Sequence, residues 1–399
     1  MNRCLALLSL TVFVSGCAPT EQAPIEPDKG AAVQGVEAPL TRIAFGSCAF
    51  QWVEQPIFRA VVAAEPDLYL SLGDAIYGDF DGETTFDVTP ESLQEEWQEL
   101  ADNPDWQHLT ANVPVMAVWD NHDYGKAEGG AEFALQEESQ QIFLDFFGEP
   151  ADSERRRSGG VYQAETLGPP GQTVQIILLD TRYFKAPFLL AERPEGVGGS
   201  LGKFAPNDDP SVTLLGPAQW AWLEEQLRQP ADIRFIASST QIVPDQKGMD
   251  EWGNYPHERQ RLFDLIEKTG AEGVVLLTGN VHFSELSRTN EGPYPLYDFT
   301  ASGLTHVNEK YSQVANEYRV AGPFVDLNFG LVKIDWEAAP SPLIILGILD
   351  VDSRNQLEHR ITLRELLPAT KESTNDVFDP LSSSNSCGAG NRVSSSGPR

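Results

Sequence analysis

"VPVMAVWDNHDYG", residues 113–125, decides the reading of the fold. Its first half is an apolar run without alternation, as expected of a strand covered on both faces. Its second half sets Asp120, Asn121, His122 and Asp123 directly after that run. Open α/β sheets place their sites at the carboxyl ends of strands.

Three other stretches repeat the design. "RIAFGSC" (42–48) ends on Cys48, and in "DLYLSLGDAIYGD" (67–79) the strand 67–72 ends in Gly73-Asp74 with Tyr77 three residues on. In "GVVLLTGNVHFSEL" (273–286) the strand 273–278 ends in Gly279-Asn280 with His282 close behind. A GD after a strand is often a turn, a lone histidine is often a hydrogen-bonded structural residue, and a lone cysteine is often inert packing. Four strand ends that together supply thiol, carboxylate, phenol, amide and imidazole form a metal-ligand inventory on one rim.

Further strand-length runs at 174–180 and 232–238 alternate with helix candidates. Thr89-Pro90 opens one that runs to about 109, and others cover 131–147, "PAQWAWLEEQLRQ" from Pro217 and "PHERQRLFDLIEKTG" from Pro256 to Gly270. Past residue 290 the pattern turns mostly to strands: 295–299, 330–335, 343–349 and 357–364. The order predicts an α/β core with helices covering its sheets.

The two ends read differently. "MNRCLALLSLTVFVSGC" has one early cation, a short apolar middle and small residues before Cys17, which marks a secretory signal. "VSGC" resembles a bacterial lipobox, which implies cleavage before a lipidated Cys17; Ala18 favours the outer membrane. The predicted organisation is a signal peptide at 1–16, a flexible tether at 17–40, one domain at 41–370 and a low-complexity tail at 371–399. The expected location is therefore the cell envelope, facing the periplasm or surface, with membrane contact through the lipid anchor.

Lys and Arg total 28 against 59 Asp and Glu, a formal charge of −31. That balance excludes nucleic acid as a partner, and no protein partner is evident. Of the four cysteines, Cys4 leaves with the signal, Cys17 carries lipid and Cys387 lies in the tail. Cys48 has no folded partner for a disulfide, so it is either buried packing or a ligand.

The series GD-x-x-Y, W-D-N-H-D-Y-G and G-N-V-H resembles the metallophosphoesterase superfamily, specifically the alkaline phosphatase D (PhoD-like) family. "LLDTRYF" (178–184) and "EWGNYPHERQRL" (251–262) are similar to segments of that family in the same order, and the likeness covers roughly 41–365. It implies a four-layer α-β-β-α sandwich and an exported phosphoester hydrolase that uses a hydroxide activated by two metals. The substrate would be a small-molecule or lipid phosphoester. A lipid- or teichoic-acid-type phosphodiesterase is the alternative, and a non-catalytic surface lipoprotein on the same fold is another.

Ordinary superfamily members begin with D-x-H where this chain has Ser47-Cys48, and they carry a histidine where it has "SSTQ" (238–241). Ligand softness then sorts the metals. Cys48, Tyr77, His282 and Asp74 would form a site suited to Fe³⁺, and Asp74 would bridge to a Ca²⁺ site completed by Asn121 and Asn280 oxygens. The family commonly has Asp at both asparagine positions, and two neutral amides lower the local negative charge that a second cation would meet.

His122 is expected to give a proton to the leaving oxygen, oriented by Asp123 or by Asp120. Arg182 would hold a phosphate oxygen pair, the alternative being an ion pair with Asp180. His306 is a substrate-side neighbour. His257 lies on the rim or caps a helix, and the Gly/Pro-rich segment 185–215 is a lid or an insertion.

Overall fold

The computed structural model describes residues 38–192 and 201–368. The expected signal peptide, the lipidated Cys17, most of the tether and the tail lie outside the described residues.

Chain order gives strands β1 (Arg42–Gly46), β2 (Leu68–Leu72), β3 (Val115–Val118), β4 (Gln163–Leu167) and β5 (Val174–Leu179). A short hairpin, β6 (Leu189–Leu190) with β7 (Phe204–Ala205), precedes β8 (Ile233–Ser238) and β9 (Val274–Thr278). Then come β10 (Ser284–Thr289), β11 (Leu296–Thr300), β12 (Arg319–Phe324), β13 (Asn328–Asp335), β14 (Leu343–Asp350) and β15 (Asn355–Thr362). One sheet has six strands in the order β15-β14-β13-β1-β2-β3, and the other has seven in the order β12-β10-β11-β9-β8-β5-β4. β1, β2 and β3 run parallel, as do β5, β8, β9 and β11. Their apolar sequences suit burial on both faces, and every residue of β2, β5, β8 and β9 is buried.

The sheets meet across an apolar interior. Phe45 of β1 packs edge-on to Phe299 of β11, with ring centroids 5.4 Å apart. Helices α1 (Ile57–Ala63), α2 (Pro90–Asp102) and α3 (Pro104–Asn112) accompany the first sheet, where Phe58 of α1 meets Tyr69 of β2 and Trp106 of α3. The single turn α4 (Asn121–Tyr124) and then α5 (Gln136–Phe146) follow β3. Helices α6 (Gly216–Leu227) and α7 (Pro256–Thr269) cover the second sheet, linked by Glu258 accepting from the Trp220 indole N–H. The architecture is the expected pair of sheets covered by helices.

The helix expected from 90 to about 109 is two. Pro104 has no N–H to continue it, and the Asn103 side chain caps the second helix by accepting from Asp105 N. Strands β4, β10 and β12 extend the second sheet beyond the expected set. β10, "SELSRT", hides its polar side chains by pairing them: Glu285 meets Lys247 at 2.9 Å and Arg319 at 2.5 Å. β12 is an edge strand and so tolerates Gly322-Pro323.

Candidate active site

Parallel neighbours deliver their loops to one rim. Cys48 follows β1 by two residues and Asp74 follows β2 by two. Their loops are tied by Cys48 N donating to Gly73 O and Ala49 N donating to Asp74 O. The sulfur lies 3.6 Å from Asp74 Oδ2. His282, four residues past β9, joins them, and one ligand atom from each of the three lies within 4.8 Å of the others. Tyr77 brings its hydroxyl to 3.5 Å from His282 Nε2 and 3.0 Å from His306 Nε2. His306 in turn stacks on Phe50 at 3.9 Å between ring centroids.

The chemistry of this donor set fits a cation. Burial pushes the Cys48 thiol, the Tyr77 phenol and the Asp74 carboxyl upward, and each also feels a neighbouring negative charge. Burial pulls His282 well down, aided by His306 and His122, so its imidazole is neutral and offers a lone pair. Anionic donors withdrawn from water need a compensating positive charge, which a metal ion provides.

Asp74 also faces the other way, with Oδ1 3.3 Å from His122 N. Asn280 donates from Nδ2 to Asp250 O at 3.1 Å, which fixes the amide and leaves Oδ1 as its free donor atom for a cation. Asn280 N donates to Ser47 Oγ at 3.2 Å, so this loop is seated against the end of β1. Asn121 is buried at the start of α4. Asn121 and His122 are thus successive helical residues rather than part of an extended turn, and about 100° of rotation separates their side chains.

His122 stacks on Tyr77 with centroids 4.3 Å apart, and its Nδ1 is 2.5 Å from Asp79 Oδ1. Burial opposes its protonation, but the charge of Asp74 and the bond to Asp79 outweigh that and push it up to about 8. The imidazolium form is therefore accessible near neutral pH.

A family model, "PhoD-like phosphatase", matches residues 43–321. The chain belongs to the PhoD-like phosphatase family. It is 22% identical over 303 residues to "Alkaline phosphatase D" of Bacillus subtilis (strain 168), a match covering 66% of this chain and 49% of that protein. The chain thus spans about half the length of that relative. "Structure of PhoD" superposes with a TM-score of 0.59 at 17% identity, covering 81% of this chain and 72% of that one, and shows the shared fold.

Within this PhoD-like chain, two expected roles change. Asp123 does not orient His122. Its Oδ1 accepts from Ala75 N and Ile76 N, and its Oδ2 from Asp74 N and Asp120 N. It pins the loop that carries Asp74. Asp120 is not the orienting group either, since Arg182 and Ser239 occupy its Oδ1. Asp79 orients the ring, and its other oxygen accepts from Ala127 N. Asp79 belongs to the second Gly-Asp of "GDAIYGD", two residues past Tyr77, a pattern that does not say which way its carboxylate faces.

Arg182 is the other correction. It is 0% exposed, and its guanidinium is shared between Asp120 and Asp250, which leaves no open face for a phosphate. The alternative pair with Asp180 is also absent: that carboxylate accepts from the backbone N–H of Arg182. His257 contacts Val212 O at 3.0 Å and belongs to the α7 entry.

Proposed function

We propose that this chain is an exported, metal-dependent phosphoester hydrolase of the alkaline phosphatase D type. The convergence of Cys48, Asp74, Tyr77 and His282 beside a His122 held by a buried carboxylate carries this reading. Cys48, Tyr77, His282 and Asp74 would hold the first cation, for which Fe³⁺ suits the thiolate and phenolate. Asp74, Asn121 and Asn280 would hold a harder second cation such as Ca²⁺. Such a pair, when bound, supplies electrophilic clamping of phosphoryl oxygens and acidification of water.

The chain's own residues do the rest. Asp79 occupies Nδ1 of His122, so Nε2 is the nitrogen that delivers a proton to the leaving oxygen. His306 accepts or donates at the Tyr77 hydroxyl and holds that ring in place. Asp123 fixes the Asp74 loop, so the Asp74 carboxylate would not have to reorganise during turnover.

Among the described residues no helix is long and apolar enough to cross a membrane. The envelope location we propose rests on the leader and its lipobox-like "VSGC". Replacing Cys17 with alanine should release the protein from the membrane fraction.

The deciding experiment is turnover of nitrophenyl phosphate and bis-nitrophenyl phosphate by the exported protein, with and without Ca²⁺, alongside elemental analysis. Monoester turnover with bound iron supports the leading reading, and preference for the diester supports the phosphodiesterase reading. Absence of turnover by the metal-loaded protein overturns both and leaves a non-catalytic lipoprotein.

A further inference from the structure

Arg182 sits at the centre of a buried chain of charges that ends on both asparagines of the second cation site. Its Nε donates to Asp120 Oδ1 at 2.6 Å, and its Nη2 reaches the same oxygen. Its Nη1 lies 2.5 Å from Asp250 Oδ2. Asp120 is the residue before Asn121 and the N-cap of α4. Asp250 accepts the Asn280 side-chain amide on its backbone oxygen. Ser239, from the loop after β8, donates to the same Asp120 oxygen at 2.9 Å.

A guanidinium is suited to this task because its planar fork meets two carboxylates at once, which an ammonium on a flexible stem does not. The arrangement ties the loop after β3, the loop before α7 and the loop after β9 through one side chain. We infer that Arg182 is a positioning residue that sets the two asparagine ligands of the second cation site and makes no contact with substrate. This rests on the two-cation reading above.

The amides give the geometry its weight. A neutral amide oxygen attracts a cation less than a carboxylate does, so affinity there depends on the oxygens being held in place. Groups that orient ligands in this way typically change metal affinity by about 10- to 100-fold when altered.

The test is Asp250→Asn, which removes one of the two carboxylates on Arg182 while keeping its shape. Calcium binding is read by titration calorimetry, iron per chain by elemental analysis, and inorganic phosphate by its competitive inhibition. The expected result is calcium affinity lower by about tenfold or more, with iron content at the wild-type level and phosphate inhibition at the wild-type level once Ca²⁺ is saturating. Wild-type calcium affinity, or weakened phosphate inhibition with calcium unchanged, overturns the assignment.

Should Asp250→Asn not fold, Ser239→Ala loosens the same Asp120 oxygen by one hydrogen bond and should weaken calcium by at least about twofold. An unchanged affinity there is equally decisive against the clamp. Failure of the parent reading looks different: the wild-type chain itself would neither take up calcium nor turn over ester, and the clamp would fall with it.

Discussion

At the scale of single residues, the proposed function assigns metal holding and proton delivery to different side chains, so each can be removed alone. His122→Ala should leave iron content near wild type and lower kcat by roughly 100-fold or more. Unaffected turnover would remove His122 from the acid role. Asp79→Asn takes a negative charge away from the imidazole, so the His122 pKa falls. An acid must be protonated to act, and the alkaline limb of the kcat profile should therefore move to lower pH by about one unit. A profile that keeps its position would mean that Asp79 serves only Ala127. Cys48→Ser should strip or exchange the first metal, visible by elemental analysis as iron lost relative to wild type. That Cys48, Asp74 and His282 meet on one rim was legible because a thiol, a GD and an NVH each follow an apolar run. Asp79 was hidden because nothing in the spacing tells a loop carboxylate that faces a histidine from one that faces solvent. Arg182 was misread for the opposite reason: an arginine after a strand is chemically apt for phosphate, and only burial shows that two carboxylates hold it.

Elements and their joints decide how firmly the ligands are held. The parallel strands were readable from unbroken apolar runs, and the Thr89-Pro90 start of α2 from its capping chemistry. β10 was not readable, because its polar side chains are satisfied by Lys247 and Arg319 from distant parts of the chain. The joint between β2 and α4 depends on Asp123, whose carboxylate takes four backbone N–H groups. Asp123→Ala leaves those buried donors without a partner. The expected cost is about 3 kcal/mol or more in urea unfolding, accompanied by weaker binding of any cation that Asp74 would hold. Unfolding at the wild-type urea midpoint would show that the joint is held by backbone pairing alone.

For the whole molecule, the net charge of −31 would set the terms on which the proposed phosphoester substrate arrives. Like charge slows encounter, and salt screens it over a Debye length of about 8 Å at physiological strength. For a dianionic monoester, kcat/KM should therefore rise as NaCl increases at constant free Ca²⁺, and rise less for a monoanionic diester. Stopped-flow or steady-state rates across a salt series check this. A monoester rate that falls with salt would mean that a local positive field at the rim outweighs the global charge.

Cys48, Asp74, Asn280 and His282 share one further property: each has a positive φ, between 50° and 71°. Residues with side chains enter this left-handed region at a cost of about 1–3 kcal/mol where they are not glycine. The fold thus bends its chain against its own preference at four of the positions from which a cation would be held. Substitutions that relieve this bend would make a sturdier protein and an emptier one. Any search for heat-tolerant variants that selects on folding alone will be drawn to these loops first, and will erase the site while improving the scaffold.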